Sequence, residues 1–345
     1  MKIAILSPIH WRTPPRKYGG YEIIASYITE GMVKRGHNVT LYATGDSLTS
    51  GQLRWVCPRP IEEDLSLNSK AYQYLHSAMP FEDAQEYDII HNHYDAYPLV
   101  FSKLVTTPVV TTIHGFTNAD VVKIYQKYSN TSYVSISFAD RQHAPDLDYI
   151  ANIHHGIPIE EYEFNERPED YFCFLGRICA DKGIHLSIKI AEKLGVKLKL
   201  AGLISPENKD FFEKEVKPHL SSQIEYLGEI SNEEKRTLLH HARGFLHLNT
   251  YPEGFGIPLI EAMACGTPVI GMNQGSISEI IEDKKTGFVV TTTDEAEEAI
   301  KKIEQISRKS CRERVEKYFS LERMLTDYEE VYQKIIKIRK LIQHY

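Results

Sequence analysis

The densest chemistry in the chain lies in the segment YPEGFGIPLIEAMACGTP, from Tyr251 to Pro268. Gly254 and Gly256 sit in a short loop after an apolar run, and Pro258 stands where a first helical turn would begin. Amides of such a loop and helix start are unpaired and carry the positive end of the helix dipole, so they suit a phosphate or an electron-rich sugar oxygen. Glu253 lies in the loop and Glu261 about one turn into the helix. A carboxylate accepts two hydrogen bonds in a fork, which fits the vicinal hydroxyls of a ribose or a hexose. A Glu-Gly turn before a helix is also a common structural device, and the residues alone leave both readings open.

Gly19 and Gly20 lie between a first apolar run and a first helical segment, where missing side chains let the backbone approach a phosphate. They do not form a Gly-x-Gly-x-x-Gly fingerprint, so a nicotinamide site is poorly supported, and a plain glycine turn is the alternative. His114 ends an expected strand at its carboxyl end, although a lone histidine there is often structural. His91 and His93 share one side of a strand by alternation, with Asp95 just beyond. That spacing permits metal ligation, but no third ligand is evident and no metal is expected. The adjacent pairs His154–His155 and His240–His241 have no ligand spacing.

These residues need elements to hold them. Short β-branched apolar runs alternate with helical segments along the whole chain, the pattern of parallel βαβ units. The pattern predicts an α/β fold of two Rossmann-like, doubly wound domains facing across a cleft. In the first half, strands are expected at Lys2–Ser7, Asn38–Ala43, Leu53–Cys57, Asp88–Asn92, Pro108–Ile113 and Ser132–Ile136. A helix from about Gly20 to Arg35 would bury Ile23, Ile24, Tyr27, Ile28 and Met32, with Gly36 as its stop. The polar stretch Phe164–Asp170 reads as an interdomain linker. Beyond it, strands are expected at Tyr171–Leu175, Lys197–Ala201, Ile224–Leu227, Gly244–Leu248 and Pro268–Met272. Helices would lie near Ile184–Lys193, Glu207–Val216, Asn232–His241 and Pro258–Cys265. The domains would then be residues 1–163 and 171–320, with 321–345 a C-terminal helix packing back on the protein. That helix has Leu325, Tyr328, Val331, Tyr332, Ile335, Ile338 and Ile342 at helical spacing and a late cluster of Lys334, Lys337, Arg339 and Lys340. The alternative is a basic amphipathic helix making weak peripheral contact with a membrane surface. Ligands in doubly wound sheets bind at the strand carboxyl ends.

The length of 345 residues is enough for two domains with separate cores. A net charge of −7 lacks the basic excess expected of a nucleic-acid partner, so none is expected. Five scattered cysteines with no Cys-x-x-Cys pair argue against a disulfide framework or a zinc site. The N-terminal apolar run is too short for a signal peptide, and no run approaches the length of a spanning helix. A cytoplasmic protein is expected.

EGFGIPLIE, followed by AMACGTPVIG, SEII and GFVV, resembles the signature of the family 4 retaining glycosyltransferases. YGGYE, DIIHNH, TTIHG, HHGI, FLGRICADKG and YLGEIS extend the resemblance over nearly the whole chain. It implies the B-type two-domain fold (GT-B), with a nucleotide-binding C-terminal domain and an acceptor-binding N-terminal domain. By that resemblance Glu261 meets the ribose hydroxyls, Glu253 sits beside the donor sugar, and the backbone of Gly254, Phe255 and Gly256 lies against its hydroxyls. Arg177 and Lys182 match the family's basic pair on the donor diphosphate, where fixed cations stabilise the charge that develops on the leaving group. A surface ion pair for Arg177 and a solvated helix start for Lys182 are the structural alternatives. Gly19 and Gly20 match the family's glycine loop near the diphosphate. His114 falls beside the donor sugar, and the loop Glu229, Ile230, Ser231 reaches the base partly through backbone groups. On the acceptor side, Trp11, Arg12, Arg16 and Lys17 precede the glycine pair, and His93 joins them. The alternative for that loop is an exposed turn stiffened by its prolines.

The resulting expectation is a retaining, metal-independent hexosyltransferase with no cofactor. It would use a nucleotide-sugar donor, with a UDP-sugar such as UDP-glucose favoured. The acceptor would be a hydroxyl of a sugar, lipid-linked sugar or small molecule. A nucleotide-sugar epimerase of the same fold and a non-catalytic nucleotide-sugar sensor are the rivals.

Overall fold

Runs such as Ile3–Leu6 have no polar alternation and need burial on both faces, which a parallel sheet covered by helices provides. In the computed structural model, which describes residues 1–115 and 119–343, the chain forms two such α/β units. One is Met1–His155 with Leu321–Tyr345, the other Gly156–Ser320.

The first unit has seven parallel strands in the order β3-β2-β1-β4-β5-β6-β7. They are β1 (Lys2–Leu6), β2 (Asn38–Tyr42), β3 (Gln52–Arg54), β4 (Ile89–Asn92), β5 (Val109–Ile113), β6 (Ser132–Ser135) and β7 (Tyr149–Asn152). Helices α1 (Gly20–Lys34), α2 (Ser69–Glu82) and α3 (Ala119–Lys127) connect them. Ile24, Ile28 and Met32 of α1 recur every fourth residue and are fully buried, while Ile23 and Tyr27 are only half-buried. β1 pairs with β2 on one side and β4 on the other, so chain order reverses between β1 and β4.

The second unit has six parallel strands in the order β10-β9-β8-β11-β12-β13. They are β8 (Phe172–Leu175), β9 (Leu198–Ala201), β10 (Ile224–Tyr226), β11 (Gly244–His247), β12 (Val269–Met272) and β13 (Gly287–Val290). Its helices are α4 (Ile184–Leu194), α5 (Lys209–Glu215), α6 (Asn232–His241), α7 (Ile257–Ala264), α8 (Ile277–Ile280), α9 (Thr293–Lys301) and α10 (Arg308–Tyr318). Order reverses between β8 and β11, so the loops after these two strands flank the sheet's switch point.

The chain then returns to the first unit as α11 (Leu321–Gln343). Its Leu325, Tyr328, Val331, Tyr332 and Ile335 are buried, and Leu325 packs where Gly31 of α1 leaves room. Arg35 pairs with Glu322 and Glu329 of this helix. The stripe is therefore spent on its own unit, and the membrane-surface alternative loses its apolar face. Ile338 is exposed, and the side chain of Ile342 lies outside the described residues. Among the described residues no helix is long and apolar enough to cross a membrane.

Some boundaries differ from expectation. The units meet at His155–Gly156, not in Phe164–Asp170. That stretch belongs to the second unit because its backbone is tied there: Asn165 donates to the Cys265 carbonyl at 3.1 Å and Glu169 to that of His241 at 2.8 Å. The strand expected at Leu53–Cys57 is Gln52–Arg54. After Arg54 the chain leaves the sheet, and the Cys57 carbonyl accepts from Gly45 at 2.9 Å. The helix expected at Glu207–Val216 opens as a 3₁₀ turn, Pro206–Asn208, before α5. β7 and β13 are additional strands at the sheet edges.

Candidate active site

Two loops converge at the switch point of the second sheet. The loop after β8 carries Arg177 and a 3₁₀ turn, Ala180–Lys182, that ends at Gly183. Gly183 has φ +66°, and a Cβ there would overlap the Leu248 carbonyl, so only glycine lets this loop lie against the end of β11. The Thr250 amide donates to the Asp181 carbonyl at 2.8 Å and ties the two loops together.

This clamp brings Lys182 to Glu253. Lys182 Nζ donates to Glu253 Oε2 at 2.5 Å, and His247 Nε2, from the last residue of β11, lies 3.0 Å from the same oxygen. Burial alone would raise the Glu253 carboxyl, but the His247 hydrogen bond and the Lys182 charge outweigh it and hold the carboxyl well below its ordinary range. Glu253 is therefore ionised at neutral pH. Its backbone is pinned as well: its amide donates to the Gln274 carbonyl at 3.3 Å, and its carbonyl accepts from Ser276 at 2.9 Å. Oε1 of Glu253 receives no hydrogen bond among the described residues. Arg177 is half-buried in the same loop, one residue from Gly176, whose Cβ position lies 4.0 Å from Lys182 Cγ.

The Gly254–Gly256 loop runs from this cluster into α7. Phe255 is buried edge-on against Phe319, and its carbonyl accepts from Ser276 Oγ at 2.9 Å. That carbonyl is taken, whereas the amides of Gly254 and Gly256 donate to no backbone carbonyl among the described residues. Glu261 is buried in α7, and its Oε1 accepts from Tyr162 Oη at 2.7 Å and Lys235 Nζ at 2.5 Å. Oε2 of Glu261 has no protein partner among the described residues. Ile230 is half-buried in the loop before α6, whose N-terminus is closed by a Ser231–Glu234 capping box.

In the first unit the loop after β1 folds over a buried carboxyl. Gly19, at φ +146°, lies over Glu22, and the Trp11 amide donates to Glu22 Oε1 at 3.3 Å. Burial raises the Glu22 carboxyl to about 7. Gly20 is the first residue of α1. The Trp11 ring meets the edge of Tyr18, and Arg12 Nε donates to the Pro14 carbonyl at 3.0 Å. Arg16 is engaged by Asp46 at 2.9 Å and Glu63 at 2.8 Å, so an acceptor or phosphate would have to displace both carboxylates. His93 corrects an expectation: it is fully buried and both its ring nitrogens are taken by neighbouring histidines, which leaves no nitrogen for an acceptor. It lies instead 2.9 Å from His114 and 3.2 Å from His91.

Structure thus joins Lys182 with Glu253, and His93 with His114. It adds residues that sequence reasoning missed. Lys235 and Tyr162 reach Glu261 across 26 and 99 positions and left no local signal. His247 had one, since it ends a strand immediately before the glycine loop. His155, set aside as half of an adjacent pair, lies 5.3 Å from the His114 ring.

Open parallel α/β sheets bind ligands at the carboxyl ends of their strands beside the switch point, which is where these cations and carboxylates stand. Two family models divide the chain between them: Glycosyltransferase Family 4 matches residues 18–158, and Glycosyl transferases group 1 matches residues 159–319. The chain belongs to the family 4 glycosyltransferases. An uncharacterized glycosyltransferase of Methanocaldococcus jannaschii, MJ1607, is 26% identical over 337 residues, covering 84% of this chain and 85% of the relative. N-acetyl-alpha-D-glucosaminyl L-malate synthase of Bacillus anthracis is 24% identical, covering 92% and 95%. Anabaena HepE, whose structure was solved with UDP and glucose, superposes with a TM-score of 0.75 at 17% identity, covering 97% of this chain and all (100%) of HepE. The fold is GT-B.

Proposed function

We propose that this glycosyltransferase is a retaining, metal-independent hexosyltransferase that moves a sugar from a UDP-sugar, UDP-glucose in the first instance, to an acceptor hydroxyl. The observation that carries this reading is the Lys182–Glu253–His247 cluster at the switch point of the second sheet. Lys182 has three N–H donors and spends one on Glu253, which leaves two for a phosphate oxygen. Glu253 keeps Oε1 for a sugar hydroxyl, and Arg177 adds a second cation in the same loop. Glu261 offers Oε2 to a ribose hydroxyl. The two cations supply the positive charge that the departing diphosphate needs. The solved complexes of HepE with UDP and with UDP-glucose favour the uridine donor. Five free, buried cysteines fit a reducing compartment, and we place the protein in the cytoplasm.

In the proposed reaction the bond from the anomeric carbon to the phosphate oxygen breaks while the bond to the acceptor oxygen forms on the same face. The acceptor proton passes to the departing phosphate oxygen, so no protein base is required. Arg177 and Lys182 hold the growing phosphate charge, and His114 hydrogen-bonds a sugar hydroxyl. The test is incubation with UDP-glucose and a panel of hydroxyl acceptors, following UDP release and the anomeric configuration of the product by NMR. Acceptor-dependent release with retained configuration supports the proposal. Inverted product refutes retention, and release that does not depend on acceptor refutes transfer.

A further inference from the structure

His114, at the end of β5, begins a buried chain of hydrogen-bonding groups that reaches α11. Its Nε2 lies 2.9 Å from His93 Nδ1, and His93 Nε2 lies 3.2 Å from His91 Nδ1. That same His91 nitrogen is 2.6 Å from the Tyr332 hydroxyl. The other side of His91, Nε2, is 2.8 Å from Thr112 Oγ1, which is 2.9 Å from the Tyr328 hydroxyl. Tyr21 stacks on the His114 ring at 4.4 Å. His114 Nδ1 is buried and has no hydrogen-bond partner among the described residues. Burial lowers the affinity of all three histidines for a second proton, so each is a neutral ring with one donor and one acceptor.

Counting protons then fixes the direction of the chain. The Tyr332 hydroxyl makes no other hydrogen bond among the described residues, so its proton is satisfied only if it donates to His91 Nδ1. His91 accordingly carries its proton on Nε2 and points it at Thr112. His93 Nε2 can meet the unprotonated His91 Nδ1 only as a donor, sharing at 3.2 Å the lone pair that Tyr332 reaches at 2.6 Å, which makes His93 Nδ1 an acceptor. His114 must donate to it from Nε2. The opposite polarity would orphan the buried Tyr332 proton and divide one His91 proton between two acceptors, each a costly arrangement in a low-dielectric interior.

We infer that α11, acting through Tyr332, His91 and His93, locks His114 in the tautomer protonated on Nε2 and so presents its Nδ1 as a bare acceptor for a hydroxyl of the donor sugar. Tyr332, His91 and His93 are positioning residues in this scheme, and the buried Nδ1, without a partner among the described residues, is the atom they prepare. The ligand part rests on the donor reading above, whereas the tautomer does not.

The test is long-range proton–nitrogen NMR on the full chain with isotope-labelled histidine nitrogens, the His114 signals being assigned by their loss in His114→Gln. The wild-type chain should show His114 protonated on Nε2 alone. Tyr332→Phe should give a detectable Nδ1-protonated fraction, and Tyr328→Phe, which removes a hydroxyl of the same helix that meets Thr112 and no histidine nitrogen and so leaves Thr112 Oγ1 to accept from His91, should keep the wild-type pattern. A wild-type His114 protonated on Nδ1 overturns the inference, as does a Tyr332→Phe spectrum identical to wild type. Should Tyr332→Phe fail to fold, the wild-type spectrum still decides. Added UDP-glucose should shift the His114 Nδ1 resonance. A correct tautomer with no shift would leave the relay standing and refute its link to the donor sugar.

Discussion

Lys182→Ala perturbs the candidate site in two separable ways. The Lys182 side chain retains 24% of its exposure and that of Glu253 14%, so their ion pair lies between the surface and fully buried cases. Exposed pairs contribute about 0–1 kcal/mol, while breaking a buried pair costs about 3–5 kcal/mol. We expect a stability loss of roughly 2 kcal/mol at pH 7, within that range. The sign follows from Glu253, whose carboxyl is lowered in the folded state. Its contribution is present above the unfolded value and fades as pH falls, so the variant and the wild type should converge in acid. Turnover should suffer more. Removing a fixed charge that meets the developing oxyanion costs about 100- to 1,000-fold, or about 3–4 kcal/mol of barrier. Urea denaturation measures the first effect and UDP release under saturating donor the second. A Lys182→Ala enzyme folded at 25 °C and within about threefold of wild-type turnover would refute the assignment, because a merely structural ion pair predicts the stability loss without the rate loss.

Acid should destabilise the first unit. Burial lowers His76, His91, His93, His114 and His155, so the unfolded chain takes up protons that the folded one refuses as pH drops below about 6.5. Glu22, raised to about 7, and Asp95, raised to about 6, act in the opposite sense. The lowered histidines outnumber the raised carboxyls, so the stability of the first unit should fall as pH drops from about 6.5 toward 5, and a flat urea midpoint over that range would contradict the burial of these rings. Glu261→Gln should weaken UDP binding about tenfold, roughly 1.4 kcal/mol, with turnover nearly unchanged; calorimetric titration checks this, and equal affinity would remove Glu261 from the ribose. Gly183→Ala should cost more than about 3 kcal/mol, since a Cβ there meets the Leu248 carbonyl in a left-handed backbone; a wild-type thermal midpoint would show that the two loops are not clamped as described.

The alternation of apolar runs and helical segments made the two sheets legible in the sequence, because fully buried parallel strands such as β1 and β12 carry no polar alternation and stand out between amphipathic stretches. The edge strands β7 and β13 were the exceptions. Tyr149–Asn152 is only half-buried throughout, so its composition resembles a loop. Asn232–His241 matched residue for residue because its Ser231–Glu234 cap is a local device. The linker at Phe164–Asp170 was misread because polarity signals exposure, whereas attachment is decided by backbone hydrogen bonds to distant carbonyls. The same limit applies to the site. Glu253 and Lys182 stand in recognisable motifs, but their meeting depends on strand order around β8 and β11, and the partners of Glu261 depend on how α6 and α7 pack. His93 looked accessible by alternation alone. It is buried between His91 and His114, and His91 is in turn met by Tyr328 and Tyr332, more than two hundred residues later in the chain.

Thermal shift with UDP and UDP-glucose asks whether the second unit binds the diphosphate of a UDP-sugar through Arg177 and Lys182. A ligand at about one hundred times its dissociation constant stabilises the native state by about 2.7 kcal/mol, which for a chain of this size raises the midpoint by a few degrees. The wild type should show that rise, and Lys182→Ala and Arg177→Ala should lose it, each compared with its own ligand-free midpoint. An unchanged wild-type midpoint with both ligands, or an equal rise in the two variants, would contradict that binding.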